Sequence, residues 1–346
     1  MKPSILYLSF NDGSDMRVNK ELRTLSQKAS VTLLALGERS QCYAEIHVEK
    51  LVFVEGSRKA VSTLLRYIVT GIYLLVSRRY HSVHVINEPQ LIIFWPFLWF
   101  QKRVVLDIFD SIFLRKNRPG NQLAWLKKIV YAPLHQALVT DENRLELLPD
   151  FLKKNARIVP NYPYRLAQLP LKERSAGLRV MYFGWLGELR GTQTIAGLLA
   201  ADPALTVWMA GWLTDDASRE LTQHPRVRWL GVIPQAEALN KAAQVADYIL
   251  CVYAPINDNN INASPNKIYD AIQTCTPVII NAEVKVSAFV TELQLGHVIP
   301  SYEVTNYQIL AQQLLQKRNT FTFKEEIRQA YTWEKVEERL HLAHDM

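Results

Sequence analysis

The chain has only three cysteines in 346 residues, Cys42, Cys251 and Cys275. Their odd number and wide spacing exclude a disulfide framework and a C-x-x-C metal site and fit a reducing compartment. A cytoplasmic location is expected. No apolar run is long enough to span a bilayer, since the longest, Leu91 to Phe100, is short and split by Pro96. The opening MKPSILYLSF has no long apolar segment and no small-residue cleavage site, so no signal peptide is expected. Zinc-finger spacing, an RNP motif, a lysine-rich tail, internal repeats and low-complexity tracts are also missing. A formal net charge of +7 is therefore better matched by a phosphorylated substrate or an anionic membrane surface than by nucleic acid. His81, His84, His135 and His224 show no ligand spacing and are expected in the core or on the surface. No metal site is expected.

What is present is an alternation of strand and helix patterns. Strands are expected at Ile5 to Ser9, Val31 to Leu36, Glu45 to Val54, Val83 to Ile86, Val104 to Ile108, Ala137 to Thr140 and Arg157 to Val159. Helices are expected between them, including Asp15 to Lys28, Arg58 to Arg79, Leu91 to Phe100, Gln122 to Leu134 and Glu142 to Lys154. The proline-rich piece Pro160 to Pro170 breaks the alternation. The pattern then restarts at Arg179 to Phe183, with further strands at Leu205 to Ala210, Val227 to Leu230, Tyr248 to Val252 and Val278 to Ile280. This predicts an α/β chain of two doubly wound domains, 1–160 and 178–328, joined by a linker at 161–177. A C-terminal segment, 329–346, is expected to return to the first domain.

Ligands of doubly wound sheets sit outside the carboxyl ends of the strands. One such corner is Asn11 to Ser14, with Asp15 and Arg17 opening the next helix; a capping role for Asp15 with Arg17 exposed is the alternative. It holds one glycine, so a dinucleotide fingerprint is absent. Another is GWLGELRG, where Gly184, Gly187 and Gly191 let backbone approach an anion and Arg190 can present a charged fork. A third is Asn262 to Asn281. Ser264 and Pro265 read as an N-cap and first helical residue, with the helix starting at Pro265. Ile268, Ala271, Ile272 and Cys275 form an apolar stripe, leaving Lys267, Asp270 and Thr274 on a polar side. A helix N-terminus after a polar loop offers N–H groups and a positive dipole end to a phosphate.

The segment SPNKIYDAIQTCTPVI resembles the donor-nucleotide segment of GT-B glycosyltransferases of family 4. Asn262 stands where that family often has a glutamate, and Cys275 where it has a glycine. In GWLGELRG, Trp185 and Arg190 stand at the family's arginine and lysine positions. The V-P-N-x-P at Val159 to Pro163, the turn at Gly231 and Val232, DMRV after Ser14, and Trp333-Glu334 also match. The resemblance implies two Rossmann-like domains facing a cleft, with a nucleotide-sugar donor on the second and a glycan or lipid-linked acceptor on the first. Arg190 and Lys267 would neutralise the leaving diphosphate, without a metal or other cofactor and with retention of anomeric configuration. Gly184, Gly187, Gly191, Gly231, Asn262, Ser264, Asn266 and Asp270 would bind the donor, with Asp270 on the ribose. Asp15, Arg17 and Asn87 would lie on the acceptor side, and Asp110 would orient the acceptor hydroxyl; capping the next turn is its alternative.

Two other classes stay open. Asn262 and Trp185 suit a non-catalytic nucleotide-sugar-binding subunit of the same fold, and the fold also serves nucleotide-sugar epimerases and glycan phosphorylases. Peripheral association with the inner membrane face is a further expectation. Arg58, Lys59, Arg66, Arg78 and Arg79 bracket an apolar helix, and Lys102, Arg103, Arg115, Lys116 and Arg118 follow the aromatic run ending at Phe100. The alternative is that both helices are core layers with arginines at their wet ends.

Overall fold

A computed structural model describes residues 2–173 and 175–346; Met1, and Arg174 of the expected linker, lie outside the described residues. The chain forms two compact units. One comprises the residues up to Asn161 together with Lys335–Met346, and the other is Tyr162–Glu334.

The first unit is built on a seven-stranded parallel sheet ordered Lys50–Glu55, Ser30–Gly37, Ser4–Leu8, Ser82–Ile86, Val104–Asp107, Gln136–Val139 and Ala156–Ile158. Its central strands are apolar on both faces because helices cover both. Leu6 and Leu8 point into one core, which they share with Tyr67 and Leu74 of helix Val61–Ser77, Leu91 and Phe94 of helix Asn87–Leu98, and Val130 of helix Ala124–Val130. Tyr7, on the opposite face, hydrogen-bonds Glu21 of helix Met16–Lys28 at 2.6 Å. The C-terminal helix Glu337–Ala343 packs beside Met16–Lys28.

The second unit has a six-stranded parallel sheet ordered Val227–Trp229, Thr206–Leu213, Arg179–Leu186, Tyr248–Leu250, Val278–Asn281 and Gly296–Ile299. Numbered within each unit, both sheets begin with the order 3-2-1-4-5-6, the doubly wound arrangement in which strand order reverses between the first and fourth strands. In the second unit that reversal lies between Arg179–Leu186 and Tyr248–Leu250.

Several elements differ locally from expectation. The stretch expected as a strand from Glu45 begins with a 3-10 turn, Tyr43–His47, and pairing starts at Lys50. Glu142 to Lys154 is two short helices, Glu142–Glu146 and Asp150–Lys153, because Pro149 disfavours helical backbone in the residue before it. Helix Asn266–Thr274 starts one residue later than expected, with extended Pro265 as its cap. It ends with Cys275 in the left-handed conformation at φ 50°, the place glycine favours after a helix. The final segment is a 3-10 turn, Trp333–Lys335, followed by a separate helix.

Candidate active site

The carboxyl ends of the strands at the reversal in the second unit gather most of the expected donor residues. Gly184 and Gly211 face each other in register on neighbouring strands, both at positive φ (95° and 129°). A Cβ at Gly211 would lie 2.0 Å from the Gly184 carbonyl oxygen, so only glycine permits this approach. Gly187 is extended, and its N–H donates to the Tyr182 hydroxyl at 2.9 Å. Gly191, at φ 102°, is the left-handed residue from which helix Thr192–Ala201 starts. A Cβ there would meet Val252 Cγ2 at 2.4 Å, so the helix N-terminus is pressed against the end of the next strand.

Arg190 sits in the turn between Gly187 and Gly191, with its guanidinium 4.1 Å from the ring centre of Tyr253. It donates to the Leu189 carbonyl at 3.2 Å and, weakly, to Asn260 Oδ1 at 3.4 Å. Lys267, in the first turn of Asn266–Thr274, extends its amine toward Gly184: a Cβ at Gly184 would lie 3.5 Å from Nζ. Burial pushes this amine below the usual lysine range; Arg190 pushes the same way, while Cys251 and Asp270 oppose. No ion pair or hydrogen bond to Lys267 is found among the described residues. Two cations thus act on one another beside two helix N-termini.

Asp270 is not on an open polar face. It is 1% exposed and accepts a hydrogen bond from Gln235 Nε2 at 2.8 Å. The polar side expected for this helix is buried because Gln235, at the start of helix Gln235–Val245, packs over it. Thr274 is buried too, its hydroxyl donating back to the Asp270 carbonyl at 2.9 Å. Asn262 is buried and donates to the Asp258 carbonyl at 2.8 Å. Ser264 does not cap the helix: its buried hydroxyl makes no hydrogen bond among the described residues. Asn266 is half-buried at the first helical position. Gly231 is at φ 76° with open space where a Cβ would be.

In the first unit the expected acceptor residues serve the fold. Arg17 is 2% exposed rather than at the surface. Its guanidinium bonds Asp107 through two nitrogens (2.7 and 3.0 Å), lies 2.9 Å from Glu21 and donates to the Val159 carbonyl at 2.7 Å. Two buried carboxylates need that charge, so it is spent internally. Asp15 caps Met16–Lys28, accepting from the Arg17 and Val18 N–H groups. Asn87, at φ 59°, accepts from the N–H groups of Phe109 and Asp110 at 2.8 and 3.0 Å. Asp110 pairs with Arg115 at 3.1 Å, and Ser111 caps the next turn. Among the described residues one group has metal-ligand side chains, Glu21, His84 and Asp107. Arg17 lies against both its carboxylates and already supplies the positive charge there.

Four further residues shape the corner at the strand-order reversal, of which Gln235 and Tyr253 lie outside the motifs read from the sequence. Gln235 holds Asp270, and Tyr253 underlies Arg190. Asn281 clamps Tyr253, accepting from its N–H and donating to its carbonyl, both at 2.9 Å. Trp185, 54% exposed, lies 5.6 Å from Trp212 between ring centres.

No family model matches the chain, and no curated protein matches it. Solved structures do. HepE of Anabaena in complex with UDP and glucose superposes with a TM-score of 0.66 at 13% identity, covering 99% of this chain and 95% of that one. Sucrose-phosphate synthase of Thermosynechococcus elongatus gives 0.71 at 16% identity, with 99% and 98% covered. A glycosyltransferase of Rickettsia africae gives 0.67 at 10% identity, with 99% and 98% covered. The chain therefore has the GT-B fold, over its whole length.

Proposed function

We propose that this chain is a glycosyltransferase that moves a sugar from a nucleoside diphosphate sugar to a glycan or lipid-linked saccharide in the cytoplasm. The observation that carries the reading is the convergence of Arg190 and Lys267 at the strand-order reversal, with no carboxylate paired to Lys267 among the described residues. Such a pair suits the diphosphate that departs as the anomeric bond breaks. The two cations supply the charge that a metal would otherwise supply, and the expected outcome is retention, as in family 4. The HepE complexes with UDP and with UDP-glucose, on a superposable fold, favour a nucleotide sugar over other phosphorylated ligands.

Asp270 remains the donor residue for the ribose in this reading, held in place by Gln235. The test is a thermal-shift panel of UDP, GDP, ADP and dTDP sugars followed by mass spectrometry of products with acceptor added. A hundredfold excess over the dissociation constant should add about 2.7 kcal/mol of stability. Binding without any transfer would favour the non-catalytic subunit. Release of a changed sugar without an acceptor would favour an epimerase.

A further inference from the structure

We infer that the outward face of helices Val61–Ser77, Asn87–Leu98 and Ala124–Val130 is a shallow insertion surface for an anionic lipid bilayer. The three helices lie side by side over one core. Gly71 lets the first two abut, since a Cβ there would lie 2.4 Å from Phe94 Cζ. With their inner faces committed to the sheet, the outer faces should be polar. They are not. On Val61–Ser77 the exposed positions Leu65, Val69, Tyr73 and Val76 recur on one side, with Tyr73 66% exposed. Phe100, just beyond the second helix, is 73% exposed, and Trp125 on the third is 67% exposed. An apolar surface spread over three adjacent elements signals an interaction face rather than scattered exposure.

Charge selects the occupant. Residues 56–79, 89–106 and 111–140, which contain these helices and their flanks apart from Asn87 and the buried Glu88, hold twelve Lys and Arg and no Asp or Glu. They carry +12 against +7 for the chain, which leaves all other residues together at −5. Arg58, Arg103 and Arg115 meet Asp12, Asp345 and Asp110 from outside these windows, and Lys127 is buried. The other eight are exposed, with no ion pair among the described residues. A second copy of this chain would bring the same positive surface against it, whereas anionic headgroups complement it. Aliphatic and aromatic side chains bordered by basic ones are the composition of a helix lying in the interface plane. No helix among the described residues is long and apolar enough to cross a membrane, so the contact is interfacial. This inference stands whether or not the chain transfers sugar.

The test is sedimentation of the full chain with vesicles of mixed phosphatidylcholine and phosphatidylglycerol, and with phosphatidylcholine alone. Binding to the anionic vesicles, weakened by salt, is expected, with a blue shift of tryptophan emission. The double variant Val69→Glu, Tyr73→Glu changes exposed positions only and should abolish pelleting while keeping the wild-type melting temperature. Ile309→Glu, an exposed apolar position in the second unit, should bind as wild type. Arg79→Ala and Lys128→Ala should each weaken binding about fivefold. Protein left in the supernatant with both vesicles, or a double variant that binds unchanged, overturns the proposal. A solution dimer that the double variant dissociates, without vesicle binding, assigns the face to a second copy instead.

Discussion

The guanidinium of Arg190 lies 4.1 Å from the centre of the Tyr253 ring, and Tyr253 is clamped through its backbone by Asn281. A planar cation held over an aromatic face keeps edge nitrogens available to an anion, whereas an ammonium in its place would be a point charge without that fork. Arg190→Ala should therefore lower kcat by about 10²–10³ with little change in melting temperature, because its hydrogen bonds within the protein are few and long. Arg190→Lys should recover only part of this. Tyr253→Ala should reduce turnover less than Arg190→Ala and leave nucleotide affinity nearly intact. Equal kcat in all three variants would place the leaving-group charge elsewhere.

Asp270 is expected to give a mixed phenotype. A ribose contact alone would place its effect in KM, but the carboxylate is buried and bonded to Gln235. Asp270→Ala should cost about 1–3 kcal/mol of stability in addition to donor affinity, since it strands the Gln235 amide. Asp270→Asn keeps the volume and an acceptor for Gln235, so it should restore most of the stability while leaving affinity weakened. Urea denaturation and calorimetric titration of the same three proteins separate the two effects. Unchanged stability in Asp270→Ala would show that the burial carries no structural weight.

The alternation of apolar strands and amphipathic helices made both sheets legible in the sequence, because parallel strands covered on two faces read as short apolar runs such as Val278 to Ile280. The loop glycines and Arg190 were legible for a related reason: they sit where a strand hands over to a helix. What stayed hidden depends on packing between distant segments. Arg17 looks like a surface arginine until Asp107, 90 residues away, meets it inside the first unit. Asp270 looks solvated until Gln235 covers it, and Tyr253 has no signature at all until Arg190 lies on it. Helical periodicity shows which residues share a side, and it does not show which sides are covered.

Gly184, Gly191 and Gly231, three of the four positive-φ glycines of the corner at the strand-order reversal, should separate by what surrounds them. Gly231→Ala has open space and should lose only about 1–2 kcal/mol from the left-handed backbone. Gly191→Ala adds a collision with Val252 to the same backbone strain, so it should destabilise more and lower turnover through the adjacent Arg190. Gly184→Ala would place its methyl 3.5 Å from the Lys267 amine, an ordinary contact. Beyond the backbone strain, its main effect should be weaker nucleotide binding. Chemical denaturation ranks the first two, and calorimetry with the nucleotide found to bind tests the third.

The contribution of His84 and His344 to the stability of the first unit should fall as the solution is acidified below neutrality. His84 is stacked on Tyr7 with ring centres 4.3 Å apart, and its Nδ1 lies 3.1 Å from Nε2 of His344. His344 in turn bonds the Ser82 hydroxyl through Nδ1 at 2.7 Å. Neutral rings suit this chain: Ser82 donates to His344 and His344 donates to His84, whose Nε2 lies 3.2 Å from Glu21 without a hydrogen bond among the described residues. Burial holds His84 down to about 4 from the ordinary 6.5, with Asp107 opposing and Arg17 assisting; burial and then His84 hold His344 well below that ordinary value. Above 6.5 both states are neutral and these rings add no pH dependence. Between 6.5 and 4 the unfolded chain binds protons that the folded chain refuses, so folding stability is lost as pH falls through that interval, on the order of 3 kcal/mol for His84 alone. Buried Asp107 and Glu88, whose carboxyls burial pushes up, act in the opposite direction, so the rings are read from a difference. Relative to His84→Phe, which keeps a ring on Tyr7, the wild-type urea midpoint should decline more on acidification across this range. A wild type that declines less than His84→Phe would mean that the Glu21 carboxylate holds His84 charged inside the fold, reversing the assignment of the proton.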